Sequence, residues 1–206
     1  MENKTSETVT FFRTVQEVRK ALREEEAVSD ERLRIWLQVA HWARDGWLYA
    51  QLARLLVRHR PHDPAWAPVV IGWLLEAAQR KSLWTEQLVY WALRGWPTAL
   101  LHSAVALMCI QFHPRGFAEG LWKAVQTGLL SPAAIPATWL ESLLQVSVNG
   151  PARDRAVVRQ VLEAIRRLER RAHTPTVPSG IGAPEERGVP SQRSPETHFQ
   201  VGAAAG

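Results

Sequence analysis

The sequence predicts an all-α fold. It reads as a compact antiparallel bundle of about eight or nine helices, with stacked helical hairpins as the alternative arrangement and a disordered C-terminal tail. Three observations carry this expectation. Apolar residues recur at helical spacing from about residue 8 to about residue 172, and no stretch sustains the period-two alternation of a strand. Short connections bearing Gly, Pro and Asp separate the periodic segments, which makes successive helices antiparallel neighbours. Ten tryptophans, all between Trp36 and Trp139, mark a densely packed region, because burying an indole removes a large apolar surface from water.

The first helix is expected over residues 8–27, with Val9, Phe12, Val15, Val18 and Leu22 on its apolar face and Glu24 to Glu26 closing it. Ser29 or Asp30 can cap a second helix carrying Leu33, Trp36, Leu37 and Ala40, which stops at the turn signal Asp45-Gly46. Trp47 opens a third helix to about Arg58. Two prolines within Pro61-His-Asp-Pro64 then break the chain, because proline cannot donate to the helical ladder. The next helix covers about 65–80 with Pro68 in its first turn. Ser82 caps another, in which Leu88, Trp91 and Ala92 repeat at helical spacing until Gly95.

Pro97 begins the most apolar stretch, read as one buried helix to about Gln111 that wants neighbours on all sides. His113-Pro114 starts a helix to Gly128. Ser131-Pro132 starts another, with Pro136 close enough to delay its onset, and Asn149-Gly-Pro ends it. The last helix spans about 152–172. From His173 onward five prolines and five glycines replace the periodic pattern, so the chain divides into a helical domain, 1–172, and a Pro/Gly-rich tail, 173–206.

The chain has 206 residues, 21 of them Arg and only 4 Lys, and a formal net charge of +5. Arg suits bidentate contacts to carboxylate or phosphate and stacks on aromatic rings, although GC-rich coding produces the same bias. The single cysteine, Cys109, excludes an intrachain disulfide framework and a Cys-based zinc cluster. The N-terminus lacks the apolar core of a secretory signal, and the apolar stretch 97–112 is shorter than the roughly 20 residues of a membrane span. An intracellular, soluble protein, cytoplasmic or nuclear, is therefore expected, without a transmembrane segment.

Candidate chemistry is sparse. His59-Arg-Pro-His62-Asp63 is the most metal-like cluster, but its histidines straddle a proline-broken turn, and Asp63 reads as the cap of the following helix. No Gly-rich phosphate loop, Gly-x-Ser-x-Gly elbow or His-Glu-x-x-His motif occurs. Only Glu76, Glu86, Glu119 and Glu141 are acidic between positions 64 and 148. They read as solvated positions on separate helices, although two of them meeting in a cleft could act as an acid/base pair. No catalytic residue, cofactor or metal ligand is assigned.

Two features point to partners. Trp66/Trp73 and Trp84/Trp91 are each seven apart, as a packed core produces. Trp36, Trp42, Trp47 and Trp96 sit where partial exposure is expected, and Trp42, Trp47 and Trp96, beside turns, are the candidate partner-binding residues. In the last helix Arg155, Arg159, Arg166 and Arg170 fall within about 60° of one another, opposite Val157, Val158, Val161, Ile165 and Leu168. That ridge is the candidate nucleic-acid surface, with Arg54, Arg58 and Arg60 as additions. The expectation is a non-enzymatic helical accessory or regulatory module that binds a protein partner or itself through a Trp/Arg-bearing surface. Nucleic-acid binding through the 152–172 helix is the alternative.

Overall fold

The computed structural model describes residues 2–24 and 28–173. The chain divides at Thr174–Pro175 into two units, and every described helix belongs to the first. From residue 174 on, the expected tail lies outside the described residues, as do residues 25–27 at the end of the expected first helix. The described residues form an all-α helical bundle with no strand among them. Its helices are α1 (Glu2–Glu24), α2 (Asp30–Ala43), α3 (Gly46–His59), α4 (Ala67–Gln79), α5 (Thr85–Gly95), α6 (Pro97–Leu101), α7 (Ala104–Phe112), α8 (Pro114–Gln126), α9 (Ala137–Asn149) and α10 (Ala152–His173). Single 3-10 turns at Pro64–Trp66 and Pro132–Ala134 precede α4 and α9.

Local chemistry explains most of the boundaries. The Ser29 side chain accepts from the Arg32 amide, Asp45 from Leu48 at 2.7 Å and Asp63 from Ala65 at 3.0 Å, each satisfying a donor that a helix start leaves unpaired. Gly128 ends α8 at φ 71°, while the Leu129 amide reaches back to the Ala124 carbonyl at 2.9 Å. That closure needs the left-handed conformation in which glycine carries no Cβ penalty.

Two starts differ from expectation: α1 begins at Glu2, six residues before the expected residue 8, and α5 begins late. The Ser82 hydroxyl accepts from the Trp84 amide within a turn, so α5 begins only at Thr85. The α9 start is delayed past Pro136 as its prolines suggest, although Ser131 makes no side-chain cap and Pro132 initiates a 3-10 turn instead.

The apolar stretch 97–112 is a larger departure, because it is two helices. Ser103 adopts an extended backbone and its hydroxyl accepts from the Val105 amide at 3.1 Å, offering a local cap that competes with helix continuation. Nor is α7 surrounded: Cys109 and Ile110 are buried, whereas Met108 and Phe112 face solvent. The central element is instead α5, which packs on α3, α4, α6 and α8. Its approach to α8 is close because Gly116 and Gly120 face it. A Cβ on Gly120 would lie 2.4 Å from the Glu86 carbonyl oxygen.

The apolar face of α1 is also rotated from expectation. Thr14, Val18 and Ala21 are buried and Phe11 packs beside them, whereas Val9 and Phe12 are 63% and 60% exposed. At about 1.5 Å per residue α1 is longer than α2 by some 13 Å. Phe11 already meets Trp42, in the last turn of α2, and residues 6–10 are all exposed. Glu17 fixes the pairing of the two helices: it accepts from the Trp36 indole at 3.0 Å and from Arg13 at 3.0 Å. The indole bond, followed by Arg13, holds its carboxyl below the usual range against the opposing effect of burial.

Candidate interaction surfaces

The tryptophans divide into three groups. Trp36, Trp73, Trp96 and Trp139 are buried; Trp47, Trp66, Trp84, Trp91 and Trp122 are half-buried against the core; Trp42 is exposed. The partial exposure expected of Trp36 and Trp96 is therefore not found. Trp96 is only 4% exposed, because its indole N–H turns inward and donates to the Asp63 carbonyl at 2.6 Å. It clamps the proline-rich turn after α3, and it is not a surface residue. The pairs Trp66/Trp73 and Trp84/Trp91 belong to the packing, although only Trp73 is fully sequestered.

Trp42 is 44% exposed in the last turn of α2. Phe11 meets its ring edge-on at 6.5 Å and lies 5.8 Å from Phe12, so an aromatic patch crosses from α1 to α2. Val9, three residues before Phe12, extends the patch along α1. Ile35, seven before Trp42, is exposed on the same stripe of α2.

Trp47 lies in the first turn of α3, beside a groove lined by Arg19, Lys20 and Arg23 of α1 and by Gln51. The Arg19 guanidinium lies over its ring at 5.1 Å. A second groove, of about 400 Å³, is formed by Arg54, Val57 and Arg58 of α3 with Trp91 and Arg94 of α5. Arg54 and Arg94 approach the Trp91 ring at 5.9 and 5.8 Å. Arg60, expected beside Arg54 and Arg58 as an addition to a basic surface, pairs instead with Asp30 of α2. Sequence reasoning assigned Trp91 to the core and could not find this site, because α3 and α5 converge only in three dimensions. The available signal was the stripe Trp47, Gln51, Arg54 and Arg58, which spans about 60° of α3.

On α10, Arg155, Arg159, Arg166 and Arg170 are all exposed, while Val158, Val161, Leu162 and Ile165 are buried against the bundle. The ridge thus stands where its spacing places it. Arg159 donates to the Ser147 carbonyl at 3.3 Å, and Glu163 holds Arg167 at 3.6 Å beside the ridge.

Of the four mid-chain carboxylates, Glu86 and Glu119 do converge on one cleft of about 490 Å³, together with His113 and Asp154. Glu86 faces Lys123 at 3.8 Å and Glu119 pairs with Arg115 at 3.0 Å, so each is matched by its own cation. Thr85 donates to the Ser82 carbonyl at 2.8 Å, leaving its oxygen to accept from Nδ1–H of His113 at 3.1 Å. Burial lowers the His113 pKa, while Asp154 and Glu119 oppose that shift. His113 and Thr85 thereby join the starts of α8 and α5. Glu76 does similar work at α3, accepting from the Tyr49 hydroxyl at 2.7 Å and facing Arg80 at 3.3 Å. No group of three potential metal ligands occurs among the described residues, and none of their helices is long and apolar enough to cross a membrane.

The fold and its surfaces define an all-α bundle with exposed aromatic and arginine-bearing faces. Compared with protein-family models, curated proteins and solved structures, the chain matches none.

Proposed function

We propose that the protein is a non-enzymatic helical interaction module, accessory or regulatory in role, which binds a protein partner or a second copy of itself. The exposed aromatic patch on α1 and α2 carries this reading. Phe12 and Trp42 stand in water with Phe11 bridging them, and aromatic side chains presented together are the groups that dominate binding energetics when covered. The test combines light scattering on the full chain with the double substitution Phe12→Ser and Trp42→Ser. Self-association that the double variant abolishes, or a purified partner that it no longer binds, supports the proposal. A monomer whose partner binds the double variant unchanged removes this patch as the site.

A second reading rests on the α10 ridge, whose four arginines all face solvent. Four phosphate contacts would give a log–log salt slope of roughly −3 to −4 on nucleic acid. Arg159→Glu with Arg166→Glu would abolish binding at unchanged helicity. Absence of binding to DNA and RNA at low salt rejects this reading.

A further inference from the structure

We infer that the face formed by α1, α3 and α5 is a docking surface for an acidic protein segment, a site separate from the aromatic patch and independent of its role. Trp47, Arg54 and Arg58 line one stripe of α3, with Gln51 buried between Trp47 and Arg54. The stripe leads from the Trp47 groove, with Arg19, Lys20 and Arg23, to the Trp91 groove, with Arg54 and Arg94. Among the described residues no carboxylate lines either groove. Lys20 faces Glu24 at 3.7 Å, while Arg54 and Arg94 have no carboxylate partner among the described residues. A polyanion is the complementary partner.

The tryptophans decide which polyanion. Single-stranded nucleic acid gains its affinity for such grooves by stacking bases on open aromatic faces. Here arginine guanidiniums already lie against the indoles, Arg19 at Trp47 and both Arg54 and Arg94 at Trp91. A guanidinium held against a ring keeps its N–H edges directed outward, oriented for bidentate contact with carboxylates. Arg94 is steadied further by donating to the Tyr90 hydroxyl at 3.2 Å. The stripe from Trp47 to Arg58 is about 16 Å long at helical rise. An extended segment of about five residues covers that length and turns every second side chain toward it. Aspartates or glutamates at alternate positions therefore fit the two grooves.

Fluorescence anisotropy on the full chain tests this with three labelled probes: a Glu-rich decapeptide with acids at alternate positions, its Gln counterpart, and an oligothymidine of matching charge. The Glu peptide should bind in a salt-dependent manner and the Gln peptide should not. Arg54→Gln with Arg94→Gln should weaken binding at least about ten-fold, with unchanged circular dichroism, whereas Arg166→Gln on α10 should leave it intact. Failure of the Glu peptide to bind at low salt overturns the proposal, as does equal binding of the Gln peptide. Tighter binding of oligothymidine would assign the face to nucleic acid instead, and an unaffected Arg54/Arg94 variant would place the acidic site elsewhere. Because Phe12→Ser and Trp42→Ser lie outside both grooves, that variant should bind the Glu peptide normally.

Discussion

Replacing Gly120 with alanine probes the crossing of α5 and α8. In an isolated helix the change is favourable by about 0.8–1 kcal/mol, because alanine restricts the unfolded backbone and shields the helical one. In this bundle the added Cβ would lie 2.4 Å from the Glu86 carbonyl oxygen and 2.6 Å from the Val89 Cβ. Neither atom is the far end of a flexible side chain, so relief requires the two helices to separate by something approaching 1 Å. Overpacking of this kind costs about 1–3 kcal/mol, more than the propensity gain. The net expectation is a loss of up to about 2 kcal/mol, or up to roughly 4–8 °C in Tm for a chain of this size. Gly72, within α4, is the internal control, since a Cβ there meets nothing within 4 Å. Gly72→Ala should therefore raise Tm by about 2–4 °C. Thermal unfolding followed by circular dichroism measures both. A Gly120→Ala variant melting at or above the parent, or a Gly72→Ala variant melting below it, would refute this account of the crossing.

Three further outcomes are expected. Burial lowers the His113 pKa, so the unfolded chain binds more protons just below the ordinary imidazole value of 6.5. Its contribution to stability is complete above that value and declines as pH falls toward the folded pKa, and urea titrations of His113→Gln should show a flatter dependence there. Cys109 is fully buried with its thiol pushed up to about 12, so an aromatic disulfide reagent at mildly alkaline pH should modify it only at the rate of global opening. Finally, Glu17→Gln should weaken the acceptor for the Trp36 indole and for Arg13 at a cost below about 1 kcal/mol. Hydrogen exchange should accelerate at Val18 and Ala21 and stay unchanged in α5.

Where one residue's chemistry sets a boundary, the sequence is a good guide: Ser29 caps α2, Asp63 caps the 3-10 turn that leads into α4, the Asp45-Gly46 turn signal falls between α2 and α3, and the arginines of α10 lie on the exposed side their spacing requires. Periodicity fails where burial depends on what lies opposite. Val9 and Phe12 match an apolar stripe as well as Val18 does, but Phe12 is turned about 100° from Phe11, away from the face that meets α2, and Val9 lies among the exposed residues 6–10, while the less apolar Thr14 and Ala21 are enclosed. The division at His102-Ser103 was legible in principle, since a serine within an apolar run carries its own cap. The Trp91 groove was not, because Arg54 and Arg94, which flank it, lie 40 residues apart in the chain. Trp96 teaches the same lesson: proximity to a glycine suggests a turn and exposure, whereas a distant carbonyl draws the indole inward.

The arrangement of contacts around α5 also bears on how the chain folds. Its helix pairs are mostly close in sequence: α3 and α4 meet α5, α7 meets α9, and α9 meets α10. Such local pairings require little loop closure, which favours rapid folding. The α5–α8 crossing, together with α4–α7, joins the earlier helices to the later ones. During synthesis, α3 and α4 can receive α5 before α8 has left the ribosome, leaving one side of α5 uncovered until α8 arrives.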